Sequence, residues 1–423
     1  MTKTMRIGQR ASLTLSACAL VAGCAGTASS PWGQAPVPIE TRSPQASPQP
    51  ASPSPQPTPP PTAPPAGRPE HQGRELALTL LPPAVTKDRS GWAADILAAF
   101  SALRLAPSPE NFCAAIAVIE QESGFQADPE VPGLSRIAWR EIETRRKRHH
   151  IPKLALDAAL AKSSPDGRTY RQRIDSFRTE RQMSLLYSDI IDEVPGGKVL
   201  LSGYNPVHTG GPMQVSVAFA QEHVREKPYG AALARELGGD LRNAVFTRRG
   251  GVYFGIAHLL DYPAPYRDPI YRFADFNAGR YSSRNAAFQQ ALAQLSGKAM
   301  SLDGDLLKYD NGVPGAEASA TQRSVLKLAG RLKLSPGEIN AGLRQEKSES
   351  FVRTLVYQRL FALADAAAGR PLPRETLPRI GLKSPKIRSK ITTAWFAGRV
   401  NTRYVGCLKR AATLREPPHL VPQ

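Results

Sequence analysis

AVIEQESGFQADP, Ala117–Pro129, joins an apolar run to a sharp polar exit. It ends an apolar helix on two acids, Glu120 and Glu122, and leaves it through Ser123 and Gly124. A carboxylate at the mouth of an apolar helix is placed to have a raised pKa, which general acid catalysis near neutral pH requires. Just upstream, Pro107-Ser108-Pro109 breaks the chain and restarts it. This predicts a helix over roughly Pro109 to Ser123, with Ser108 as its N-cap and Pro109 in its first turn. At 100° per residue, Glu122 shares a stripe with Ala115, Val118 and Ile119, whereas Glu120 lies nearer the edge. Glu122 is therefore the preferred inward carboxylate.

Outward from this helix, the same alternation of apolar spacing and proline or glycine breaks continues over most of the chain. GWAADILAAFSALRL follows a possible cap at Ser90, and RTERQMSLLYSDIIDEV, Arg178–Val194, reads as an amphipathic helix. RRGGVYFGIAHLL, Arg248–Leu260, reads as a packed helix whose small residues allow close approach. KVLLSGY, Lys198–Tyr204, is the one plausible strand nearby. In YNPVHTGGPMQVSVAFA, Tyr204–Ala220, the glycines make a tight turn after which Met213 starts another helix. ETRRKRHH, Glu143–His150, reads as a solvated helix face, and adjacent His149 and His150 lack the spacing of helical metal ligands. No metal or cofactor is implied. The expected fold is mainly α.

The first residues belong to export rather than to the fold. Lys3, Arg6 and Arg10 precede an apolar run, Ala11–Ala22, too short to span a membrane well. The run ends in LVAGC, Leu20–Cys24, which resembles a bacterial lipobox. The resemblance implies a signal peptide over residues 1–23, with Cys24 carrying acyl chains such as palmitate. Ala25, in the absence of Asp, implies sorting to the outer membrane, with the domain facing the periplasm. Residues 31–70 contain fifteen prolines among Ser, Gln, Thr and Ala. That composition cannot bury a core, so residues 24–73 read as a disordered, extended tether. Cys113 and Cys407 then remain in an oxidising compartment, which predicts a disulfide, two buried thiols being the other possibility.

The chain carries a formal charge of +19, and from Arg370 onward twelve Lys or Arg stand against Glu375 and Glu416. For a tethered envelope protein this favours an acidic surface, such as peptidoglycan carboxylates or lipid phosphates, and disfavours nucleic acid. Protein partners are not legible in the sequence. Trp395, Phe396 and Tyr404 in the basic tail suit either a core or a glycan platform.

Three islands in order resemble the lytic transglycosylase family: Glu122-Ser123-Gly124-Phe125, Gly211-Pro212-Met213-Gln214 and Asp275-Phe276-Asn277-Ala278-Gly279. The resemblance covers roughly Trp92 to Leu292 and implies a goose-lysozyme-like helical domain over residues 74–300. The segment at about 130–204 would be a helical insertion, and residues 301–423 a basic helical extension packed on the domain. It also implies cleavage of peptidoglycan between N-acetylmuramic acid and N-acetylglucosamine. One carboxyl, Glu122, would protonate the leaving oxygen and then help the sugar's own 6-hydroxyl close an anhydro ring. Ser123, Gly211, Met213, Gln214, Phe276 and Asn277 would line the groove. Phe276 stands where the family has Tyr, and Pro212 where it has Leu. The same groove without cleavage, binding glycan or peptides or supporting transport or assembly, is the alternative expectation.

Overall fold

The computed structural model describes residues 67–193, 205–228, 234–235, 237–310, 313–382 and 391–413. The lipobox with Cys24, the proline tether up to residue 66 and the expected strand Lys198–Tyr204 lie outside these residues. The described chain is mainly α. Its strands are three antiparallel pairs of two residues each.

Ten of the described helices lie between Gly67 and Leu260. They are α1 (Gly67–Leu80), α2 (Arg89–Leu103), α3 (Pro109–Glu122), α4 (Leu134–Arg148), α5 (Lys153–Leu160), α6 (Tyr170–Asp175), α7 (Glu180–Glu193), α8 (Val217–Glu226), α9 (Leu241–Val245) and α10 (Arg248–Leu260). Next come α11 (Ile270–Ala278), α12 (Ser282–Ser296), α13 (Ala320–Lys327), α14 (Ala329–Leu332), α15 (Pro336–Leu343), α16 (Leu355–Ala368) and α17 (Thr393–Thr413). The short pair β1 (Thr209–Gly210) and β2 (Val215–Ser216) lies between α7 and α8.

Three apolar clusters organise these helices. The first is built on α1, α2, α3, α10, α11 and α17, with Trp92, Phe100, Phe112, Ile116 and Phe254 inside it. The second joins α12 to α13–α16 through Phe288, Phe351, Leu360 and Phe361. The third lies between α4 and α7 and contains Leu134, Tyr170, Ile174, Phe177 and Leu186. Met183 on α7 packs against both the first and the third cluster. The charged run in α4 has the ion pairs Arg145–Glu141 and Arg146–Glu143 at 2.8 and 2.7 Å, as expected of a solvated face. The other side of α4 carries Leu134 and Ala138, which are buried.

Four expectations are corrected. The tether does not extend to Gly73, because α1 begins at Gly67: Ala77 and Leu80 bury their side chains in the first cluster, and Gly73 lets Leu97 approach. Asp88, not Ser90, caps α2; its Oδ1 accepts from the Gly91 N–H at 3.1 Å. Met213 does not start a helix. It sits in the turn between β1 and β2, and the next helix starts after Ser216, whose Oγ accepts from the Phe219 N–H at 3.4 Å. The C-terminal region is also not one extension. α13–α16 build the second cluster, whereas α17 returns to the first and packs on α3, α11 and α1.

The return of α17 is bonded covalently. Cys113 near the start of α3 and Cys407 form a disulfide across a sequence separation of 294, with Cα atoms 5.5 Å apart. Further along the same two helices, Arg403 stands 3.6 Å from Glu120. Phe396 and Tyr404 are buried on this face, and Tyr404 meets Phe273 edge-on at 5.5 Å. Both are therefore core. Trp395 is exposed, with the Arg399 guanidinium 5.8 Å from its ring.

Candidate functional site

The end of α3 is shaped by its own polar atoms. Ser123 is buried, and its Oγ donates to the Ile119 carbonyl at 3.0 Å, so it closes the last turn. Gly124 and Phe125 both take positive φ, 58° and 64°, which turns the chain sharply away. Phe125 is held in that conformation by packing edge-on against Trp92, with centroids 5.2 Å apart. Glu120 and Glu122 are both half-buried. Glu120 faces α17 through Arg403. Two residues on, a rotation of about 200° turns Glu122 to the opposite side of α3. Arg403 of α17 thus lies beside Glu120 and not beside Glu122 on that turn of the helix.

The second island is a hairpin seated on α10. Gly211 has φ of 71°, and a Cβ there would collide with the Val245 carbonyl. Met213 is fully buried against Gly255, and Pro212 lies against Gly251. Two glycines of RRGGVYFGIAHLL, Gly251 and Gly255, thus each admit one side chain of the turn, and Gly250 lies against the Ala244 carbonyl and Leu237. Replacing Gly255 by Ala is expected to destabilise the fold by about 1–3 kcal/mol through overpacking against Met213, read as a lower midpoint in urea. Gln214 lies at φ of 49° and folds back, its Nε2 donating to the Gly211 carbonyl at 3.2 Å.

The third island ends α11. His258 of α10 joins the two helices: its Nε2 lies 3.2 Å from the Phe276 carbonyl, and its ring packs on the Phe276 ring with centroids 5.1 Å apart. Burial, then the positive Arg280, lower the His258 pKa to about 3, and its Nδ1 is buried without a partner. The imidazole is therefore neutral, with Nε2–H donating to Phe276. Asn277 is half-buried, and its Oδ1 accepts from the Thr393 hydroxyl at 3.0 Å, at the start of α17. Asp275 is fully buried and collects the Tyr266 hydroxyl at 2.7 Å and the Tyr281 and Ser283 N–H groups at 2.9 and 2.6 Å. Burial nonetheless raises its pKa to about 6.

α10 thus carries the second and third islands directly, and α3 packs against it as well. All three islands contribute side chains to the first cluster, through Phe125, Met213 and Phe276. Sequence reading missed His258, Arg280, Asp275 and Thr393. An apolar helix ending in His-Leu-Leu gave a signal for His258, but Thr393 lies 116 residues from its partner and gave none. Among the described residues, no group of three or more His, Cys, Asp or Glu is arranged to hold a metal. No described helix is long and apolar enough to cross a membrane.

A family described as "Protein of unknown function (DUF1615)" matches residues 85–410. The chain belongs to the DUF1615 family. A relative, "Uncharacterized protein YaiW" of Escherichia coli (strain K12), is 50% identical over 328 residues, which is 78% of this chain and 87% of that protein. No solved structure matches the chain. The DUF1615 match runs from before α2 into α17, so it contains both disulfide cysteines and the second and third clusters. It begins after α1.

Proposed function

We propose that the protein is an outer-membrane lipoprotein, anchored through Cys24 with its domain in the periplasm, that cleaves peptidoglycan glycan strands by transglycosylation. Glu122 is the single acid and base. It donates a proton to the oxygen linking N-acetylmuramic acid to N-acetylglucosamine, and it accepts one from the 6-hydroxyl that closes the anhydro ring. The observation that carries this reading is the seating of the Gly211–Gln214 turn and the Phe276–Asn277 helix end on one helix, α10, which also contacts α3. A groove over Gln214, Phe276 and Asn277 needs that common support, whereas Ser123, Gly211 and Met213, expected to line it, are buried and do not.

A second reading, a groove that binds glycan or peptides without cleavage or supports transport or assembly, has its own observations. Thr393 holds the Asn277 side chain, Gln214 is tied back to Gly211, and Phe276 has no hydroxyl to offer. The two readings part on sacculi incubated with the lipidated chain in detergent. Cleavage predicts soluble 1,6-anhydro muropeptides, reduced at least about 100-fold in Glu122→Gln, the scale of a lost general acid. If the native chain sediments with sacculi and releases none, the binding reading replaces it.

A further inference from the structure

Away from the three islands, a cleft of about 440 Å³ opens where the loop over Pro263–Tyr266 and α11 meet the turn before α16. That is the size range of small-molecule sites. Its surface is mostly apolar, from the prolines of the loop, Val352 and the rings of Tyr281 and Tyr357. Five charged residues also line it: Arg272, Arg284, Arg374, Glu349 and Glu375.

Two of these charges are already committed. Arg374 pairs with Asp365 at 2.6 Å, and Glu349 with Arg353 at 3.2 Å. The other three are not paired with an opposite charge among the described residues. Arg272 donates only to carbonyls, those of Leu259, Tyr262 and Ala264 at 3.4, 3.3 and 3.1 Å. Arg284 is 5% exposed and donates to Asn285 Oδ1 and to the Ser348 and Glu346 carbonyls. Three of its guanidinium N–H groups are thereby used, which leaves two of the five such a group has. Its Cζ lies 4.3 Å from the Tyr281 ring centroid. Both guanidinium planes are fixed before any ligand arrives, which removes the ordering cost of binding. Glu375 contributes one carboxylate at the same cleft. A buried cation without an acidic partner is costly, and a bound anion offsets that cost.

We propose that this cleft binds the zwitterionic head of an α-amino acid. Its carboxylate meets the spare N–H groups of Arg284 and Arg272, its ammonium meets Glu375, and its side chain lies on Tyr281, Tyr357 and the loop prolines. A phosphate dianion fits worse, because Glu375 repels it. The same head group occurs in a free amino acid and at the free diaminopimelate end of a peptidoglycan stem peptide. The site does not depend on cleavage at Glu122.

The experiment is calorimetric titration of the lipidated chain in detergent with meso-diaminopimelate and with a soluble disaccharide-tripeptide ending in diaminopimelate. N-acetylated and carboxamide forms of each serve as controls. At least one probe is expected to bind, and at least about tenfold more tightly than its blocked forms, a difference of about 1.4 kcal/mol. Ala264→Trp, which fills the cleft and keeps the carbonyl that Arg272 uses, and Glu375→Gln should each weaken binding at least about tenfold. Glu122→Gln should leave the affinity for free diaminopimelate, which carries no glycan, unchanged, and this separates the site from the groove. A preference for free diaminopimelate or for the muropeptide identifies the source of the head group. The proposal is overturned if neither probe binds at about 10 mM, a concentration that detects affinities of only a few kcal/mol. Equal binding of the blocked forms also overturns it, as does native affinity in folded Glu375→Gln.

Discussion

Replacing both Cys113 and Cys407 by Ala is expected to lower the stability of the domain by about 2–5 kcal/mol, the usual cost of removing a native disulfide from a secreted protein. The bond closes a sequence separation of 294 residues, and in the loop-entropy treatment longer loops gain more. The geometry adds a second reason. α17 is placed on α3 by this bond, by Arg403 facing Glu120, and by burial of Phe396, Val400 and Tyr404. Arg410 of the same helix donates to the Leu80 carbonyl at 2.9 Å, so α1 is tied in as well. Without the bond, α17 is the element whose loss exposes the most of the first cluster. Urea unfolding with and without reductant measures this, and the double variant should match the reduced chain. If reduction leaves the midpoint unchanged, the bond contributes nothing to equilibrium stability, and α17 is held by packing alone.

The parts of this fold legible in sequence are those written locally. α3 was readable because Ser108, Pro109 and an unbroken apolar run specify it, and the structure has it from Pro109 to Glu122. α10 was readable because nothing breaks it between Thr247, its cap, and Leu260. The hairpin was misread because the Val215–Ala220 run has a helical pattern, whereas the register Gly210↔Val215 is fixed by tertiary contacts of Gly210 with Phe246 and Met213 with Gly255. The division between α17 and the rest of the C-terminal region was not legible. An amphipathic helix does not say which of two clusters it covers, and only the cysteine pair hinted at the answer. In the candidate site, the island residues could be named from their order. Whether Asn277 points to a ligand or to Thr393 depends on a helix that begins 116 residues later.

Acid should reveal the three buried titratable groups through opposing slopes of stability against pH. His258 has its pKa lowered to about 3 from an ordinary 6.5. A base depressed in the folded state gives its full stability above pH 6.5, and loses it progressively as pH falls from 6.5 to about 3, in all about 5 kcal/mol. His208 and His223, also lowered by burial, act in the same direction. Asp275 and Glu346 have the opposite sign. Burial raises them to about 6 and about 7 from 3.8 and 4.5, so each penalises the fold at high pH. That penalty is relieved as pH falls through the folded pKa toward the unfolded one, by about 3 kcal/mol each. Between pH 7 and about 4.5 the two carboxylates together recover about 4–5 kcal/mol while His258 loses about 3, so wild-type stability should rise by about 2 kcal/mol. Below about 4.5 that relief is nearly complete while His258 continues to charge, so the rise should end there. Glu346 is fully buried and accepts from the Leu306 and Leu307 N–H groups. Glu346→Gln keeps an acceptor there and removes the relief, so its decline should begin near pH 6.5. His258→Gln keeps a donor for the Phe276 carbonyl and removes the loss, so it should gain about 3 kcal/mol relative to wild type between pH 7 and 4.5. Urea unfolding at pH 8, 7, 6, 5 and 4 separates these slopes. Parallel curves for wild type and His258→Gln would show that the imidazole charges freely in the folded state, and with that the neutral donor to Phe276 would be lost.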